Sequence, residues 1–355
     1  MRTFKKIAYI LALLGGVGCA TVSRAQIDAP LTPGFDFNMM INPASCGLDD
    51  EVHAPFFAAV ETRSYRNIHH SAGLNYKNQL KGAFSSNSLR IISANYQCRF
   101  SRERMALGVY VYSNTLNKQA LRDFQIMLNY AYHWTIVEDE QGNPVHRLSF
   151  GIQAGYRNYG YQMANILTGD MYDPRYTHGI NFSNASIDEL PDPRNLFDGH
   201  AGVNYMGRFG DRARVEAGFA AFHLFRPKTG ALENETLRIP LRFSLYAQTV
   251  VSLAGGQTEL GSGMGSQLLV GLYYNYQSDK LSGNNIASTV FARVGYRYVF
   301  DVSTSVGFSL AYRTRCAFIP QITLDISNFT LLLQMEANVN YSYNNLFSIG
   351  LGYRF

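Results

Sequence analysis

Runs of ten or more residues in which apolar side chains alternate with polar or small ones recur along most of this chain. In "FQIMLNYAYHWTI", Phe124, Ile126, Leu128, Tyr130, Tyr132, Trp134 and Ile136 are apolar, against Gln125, Asn129, His133 and Thr135. "RLSFGIQAGYR" sets Leu148, Phe150, Ile152, Ala154 and Tyr156 against Arg147, Ser149, Gln153 and Arg157, and "TLLLQMEANVNY" sets Leu331, Leu333 and Met335 against Gln334, Glu336 and Asn338. A period of two belongs to a β-strand whose two faces meet different surroundings. Less regular copies cover 55–66, 89–100, 104–113, 197–208, 213–225, 238–251, 266–277, 288–300, 303–313, 317–326 and 346–355. Together they predict about 14 strands, most of roughly 10–13 residues.

Length then selects the surroundings. Strands of a soluble sandwich usually run about 5–6 residues, whereas a tilted membrane-spanning strand needs about 9–11. Glu336, Arg293, Arg297, Arg157 and Gln153 fall in mid-strand, where a dry core or lipid would leave them unpaired and a hydrated lumen would not. The fold class is therefore all-β: a transmembrane outer-membrane barrel of about 14 antiparallel strands. Tyrosine pairs (Tyr110, Tyr112, Tyr130, Tyr132, Tyr273, Tyr274, Tyr296 and Tyr298) are expected in the aromatic girdles at the two membrane interfaces.

The first residues fix the compartment. Arg2, Lys5 and Lys6 precede an apolar run over 7–17, and Ser23-Arg24-Ala25 offers the small residues that a signal peptidase recognises. Residues 1–25 are thus expected to be a signal peptide, cleaved between Ala25 and Gln26. Cys19 could suggest a lipoprotein signal, but Gly16 stands three residues before it, where such signals usually carry Leu. Cleavage changes 31 basic residues against 26 acids into 27 against 26, so no charge excess points to nucleic acid. Cys46, Cys98 and Cys316 remain, too few and too odd in number for a disulfide framework. Residues 26–54 are expected as a periplasmic N-terminal segment, and 55–355 as the barrel.

With periplasmic termini, connections after even-numbered strands should be short. "SRE", "FGDR", "FDV" and "SN" fit this, while "VEDEQGNPV" and 252–265 are longer. The long odd connections are 67–88 and, above all, 158–196. The second mixes Tyr159, Tyr161, Tyr172, Tyr176 and Phe182 with acids, a composition suited to a surface partner, although a loop folded into the lumen would also account for it. At the other end, "LFSIGLGYRF" places Ser348, Gly350, Tyr353 and Phe355 at the spacing of the C-terminal signal of outer-membrane barrels, which implies recognition by the barrel assembly machinery.

No residue pattern points to catalysis or to a cofactor. Asp170, Asp173, Asp188, Glu189, Asp192 and Asp198 crowd one connection, yet without the spacing of a Ca²⁺ loop they suit a solvated surface. The histidines are scattered, and Ser149 or Ser309 beside one of them lacks any local nucleophile motif. Neither a catalytic residue nor a metal ligand is assigned. A diffusion porin or solute transporter is the main alternative function for such a barrel.

Several stretches, in order, resemble one family. They are "INPASCG" (Asn42, Pro43, Ala44, Gly47), "GIQAGY" (151–156), "GDMYD" with Asp170 and Asp173, "LFDGHAGVNY" with Phe197 and Asp198, and "FHLFRP" with His223 and Pro227. Over about residues 35–300 the chain is similar to the PorP/SprF family of type IX secretion and gliding-motility outer-membrane proteins from Bacteroidota. The C-terminal third departs from it: "YRTRCAFIPQITLDIS" stands where the family carries a Ser-Tyr-Asp element. The resemblance implies a non-enzymatic component that associates with the translocon, with periplasmic ring proteins or with secreted surface adhesins.

Overall fold

In a computed structural model, the described residues are 31–48, 68–79, 89–100, 102–116, 121–140, 142, 144–161, 194–210, 212–232, 235–254, 265–279, 285–300, 304–314, 317–338 and 345–355. The alternating runs become long antiparallel strands. These are β1 (Ile68–Gln79), β2 (Leu89–Phe100), β3 (Met105–Leu116), β4 (Leu121–Glu138), β5 (Pro144–Tyr161), β6 (Arg194–Phe209) and β7 (Ala213–Phe222). A small hairpin follows, β8 (Lys228–Leu232) with β9 (Glu235–Arg238). The series then resumes with β10 (Arg242–Ala254), β11 (Gly265–Asp279), β12 (Asn285–Val299), β13 (Thr304–Arg313), β14 (Ala317–Ile326), β15 (Phe329–Asn338) and β16 (Leu346–Arg354). The hairpin is a sheet of its own; the other 14 strands form a closed barrel in which β16 returns to pair with β1. Closure leaves no sheet edge, as a structure without water around its backbone requires.

The barrel strands present mostly apolar residues outward. Leu128, Ile152, Phe219, Leu245, Phe308 and Leu351 are exposed, while Gln153, Arg157, Asn204, Glu216, Arg293 and Glu336 are buried inside. The arrangement inverts that of a soluble protein and suits a lipid-facing belt around a polar lumen.

Several boundaries move. The first barrel strand is β1, inside the stretch 67–88 expected as a loop, whereas 55–66 lies outside the described residues. β5 and β6 extend through Tyr161 and from Arg194, so Tyr159 and Tyr161 belong to the wall; the central part of the 158–196 connection, with Asp170 and Asp173, lies outside the described residues, as do Ala25 and Gln26. β7 stops at Phe222 because His223 turns the chain at φ +61. Tyr110, Tyr112 and Tyr273 point into the lumen instead of joining a girdle. On β3 both faces are apolar, and the outward one is taken by Leu107 and Val111.

The largest difference concerns the residues before the barrel. Residues 31–48, expected as a periplasmic segment, lie inside the lumen. They form a short helix α1 (Asn38–Ile41) and one 3₁₀ turn (Pro43–Ser45), and nearly all are buried. Phe37, Met39, Met40 and Cys46 pack with Ile91, Ala106, Tyr110, Tyr112, Met127 and Ala131 of the wall. On the opposite side Ile41 packs with Tyr246, Tyr273 and Phe291. Full burial of a side chain such as Met39 contributes roughly 1.5–3 kcal/mol, which is why an apolar segment leaves water for an otherwise polar lumen.

At the seam, His70 and Phe355 exchange backbone hydrogen bonds at 3.0 Å each, and their rings stack at 5.3 Å on the outer surface. Tyr353 stacks on Phe355 at 5.4 Å, while Ser348 points inward. Removing Tyr353 to Phe355 takes away both the closing bonds and the terminal aromatic. The expected outcome is near-complete loss of the protein from outer-membrane fractions, measured by fractionation and immunoblot.

Candidate functional site

The inner segment meets the wall through the residues that carried the family resemblance. Asn42 is fully buried: its Oδ1 accepts from Ala44 N at 2.9 Å, and its Nδ2 donates to Val203 O at 2.9 Å and to Tyr246 Oη at 3.5 Å. Pro43 O accepts from Asn129 Nδ2 at 2.9 Å, and Ser45 Oγ lies 3.0 Å from Tyr246 Oη. Gly47 has φ +74, the left-handed backbone that glycine adopts without strain, and its N–H donates to Gln97 Oε1 at 2.6 Å. The wall is cut to fit. A Cβ on Gly151 would overlap the backbone of Pro43 and Ala44, and one on Gly202 would overlap the Asn42 amide. Thus "INPASCG", "GIQAGY" and "LFDGHAGVNY", far apart in sequence, come together at one docking surface.

Charge pins the segment at its other end. Asp36 pairs with Lys77 at 2.6 Å and accepts from Thr32 N at 2.6 Å, and Asn75 Nδ2 donates to Phe35 O at 2.8 Å. Buried ions tolerate such surroundings only when paired and hydrogen-bonded.

A second polar network lies in the wall beside α1. Asp123 on β4 receives two bonds from Arg157 on β5, at 2.8 and 2.9 Å. Arg157 Nη1 lies 3.5 Å from His223 Nδ1, and His223 in turn makes a short hydrogen bond to Asp198 on β6. Asp198 also faces His200, whose Nδ1 lies 2.6 Å from Gln153 Oε1; Gln153 Nε2 donates to Met39 O at 3.4 Å. His223 reaches the network because its φ of +61 breaks the alternation at the end of β7 while the chain stays beside β6, with Leu224 N donating to Gly199 O at 2.9 Å. Asp198 therefore belongs to the wall, not to the acidic loop with which the sequence grouped it. Of the remaining motif residues, Phe197 faces outward and stacks on Phe225 at 5.6 Å, and Pro227 O accepts from Ile239 N at 3.0 Å.

Chemically this is an arrangement of hydrogen bonds and paired charges around a docked segment. Ser149 does meet a histidine, with its Oγ 2.9 Å from His133 Nδ1, but Ser309 bonds to Arg293 and Gln321. A nucleophilic triad also needs a carboxylate behind the histidine and donors for an oxyanion.

The family described as type IX secretion system membrane protein PorP/SprF matches residues 52–264, more than half of the chain. The chain belongs to this family. The match takes in "GIQAGY", "LFDGHAGVNY" and "FHLFRP", while "INPASCG", which docks against them, precedes it. This family and the closed barrel together make it an outer-membrane protein of the type IX secretion class. No curated protein matches the chain. Among solved structures, the Ralstonia pickettii toluene transporter TbuX is 10% identical, with 89% of this chain and 92% of that one covered and a TM-score of 0.48. The P. putida toluene transporter TodX is 7% identical over 85% and 91%, with a TM-score of 0.42. The β domain of the Bordetella autotransporter BrkA is 11% identical over 82% and 100%, with a TM-score of 0.42.

Proposed function

We propose that this PorP/SprF member is a non-enzymatic component of the type IX secretion system. It associates with the translocon, through periplasmic ring proteins, or with secreted surface proteins during their export and attachment. The observation that carries this reading is the burial of residues 31–48 inside the lumen, packed against two sides of the wall. A diffusion porin needs a continuous water path, whereas here the residues that carry the family resemblance hold an internal segment across the barrel. Such a barrel suits an anchor better than a conduit, and family membership supplies the pathway.

Affinity purification of the tagged protein from its native outer membrane, followed by mass spectrometry, tests this. Translocon, ring or secreted surface proteins should co-purify. A barrel that purifies alone and conducts ions in planar bilayers would favour the transport function instead.

A further inference from the structure

Three donors in the lumen wall converge on one point. Asp198, His200 and His223 are all buried, and one ligand atom of each lies within 4.8 Å of the others. We propose that they bind a divalent transition-metal ion, which the sequence does not assign and which goes beyond the secretion role.

Tautomer geometry carries the argument. The Gln153 amide nitrogen donates to Met39 O, so its Oε1 faces His200 Nδ1 and accepts the proton there. The neutral His200 ring then carries a lone pair on Nε2. That nitrogen is buried without a hydrogen bond, 3.4 Å from Asp198 Oδ2. Two Lewis bases facing each other at this distance repel unless a proton or a cation lies between them. Donors around a tetrahedral zinc ion, with bonds of about 2.0–2.1 Å, stand about 3.3 Å apart, which matches the separation. His223 Nδ1 shares a hydrogen bond with the same carboxylate oxygen. An ion would take the place of that proton, the ring passing to its other neutral tautomer. His223 holds its position at a left-handed φ of +61, a conformation that costs a non-glycine residue free energy and that turns its ring towards the other two donors.

Two cations border the cluster. Arg157 is neutralised by its two bonds to Asp123, and Arg242 lies over the Phe222 ring at 4.0 Å. Both histidines line a cavity with Met40, Tyr110, Tyr112 and Gln125, where water could complete the coordination. Two imidazoles and one carboxylate suit Zn²⁺, Co²⁺ or Ni²⁺, not the all-oxygen cations Ca²⁺ and Mg²⁺. Through Gln153 and Met39 O, an ion held here would stiffen the seat of the internal segment.

The test uses the full-length barrel in detergent, stripped with a chelator, dialysed, and titrated with Co²⁺ and then Zn²⁺. The expected result is a saturable visible Co²⁺ spectrum with histidine ligation, displaced by Zn²⁺, and one zinc per chain by elemental analysis. His200→Ala and Asp198→Asn should abolish it. Gln153→Ala, which changes a positioning residue, should weaken binding roughly 10–100-fold, while His146→Ala at the far end of β5 should not alter it. A folded wild-type barrel that gives no Co²⁺ spectrum overturns the proposal, as does binding that survives both ligand substitutions. Should those variants fail to fold, the wild-type spectrum decides alone: a histidine-ligated band supports the site, and an aquo-ion spectrum refutes it.

Discussion

Deleting residues 31–48 behind an intact signal peptide is expected to convert a closed barrel into a conducting one. All 14 barrel strands lie outside the deletion, so the wall can still assemble. An eight-stranded barrel fills with its own side chains, whereas one of 16–18 strands encloses an aqueous channel. At 14 strands the wall leaves room that the internal segment occupies here. Its loss would bring water to Tyr110, Tyr112 and Met127, which line that space, so lower thermal stability should accompany the gain in conductance. Planar-bilayer recordings check this: the wild type should sit near baseline and the deletion should give stable open levels.

The second large effect is expected at the Asp123–Arg157 pair. Arg157 is fully buried and is held by both oxygens of Asp123. Asp123→Ala removes both of those bonds from a fully buried guanidinium, and removing one partner of a buried pair typically costs about 3–5 kcal/mol. Replacing both residues by apolar ones of similar volume, Asp123→Leu with Arg157→Met, should cost far less or nothing, since the desolvation of both charges disappears with them. Unfolding of the detergent-solubilised barrel, followed by the loss of heat-modifiable migration on gels, separates the two outcomes.

How much of this could be read beforehand follows from the physics of each element. Strands such as β4 and β5 were legible because their outward positions are mostly large and apolar (Leu128, Tyr130, Trp134, Phe150, Ile152) and their inward ones mostly polar or small (Asn129, Ala131, His133, Ser149, Gln153), a contrast that lipid and lumen impose directly. β1 is less legible because its outward face interleaves His70, Ala72 and Asn78 with Leu74 and Tyr76, and its inward face includes Asn75 and Lys77, which meet Phe35 and Asp36. Tyr110 and Tyr112 differ from the expected girdle for a related reason: on the lumen side of β3 they find the apolar side chains of Met39 and Met40 to pack against.

The internal segment itself has no periodicity to read. Its fit depends on glycines at 151 and 202 and on amides at 42, 129 and 153, and their pairing is set by barrel closure, not by local sequence. The Asp198–His200–His223 cluster was hidden likewise. Asp198 and His200 share a strand face at a spacing of two, but His223 joins them only because the chain leaves β7 with a left-handed residue while still running beside β6.

The central claim is that the lumen is closed by the chain's own N-terminal segment, and native Cys46 tests it most directly. This residue lies in that segment and is completely buried against the wall. In a protein carrying Cys98→Ser and Cys316→Ser, with the signal peptide removed, a bulky maleimide should leave Cys46 unmodified while the barrel is folded and should label it fully in denaturant. Protection would then report the free energy needed to release the segment. Rapid labelling of Cys46 in the folded barrel, at the rate seen in denaturant, would place the segment outside the lumen and contradict the account.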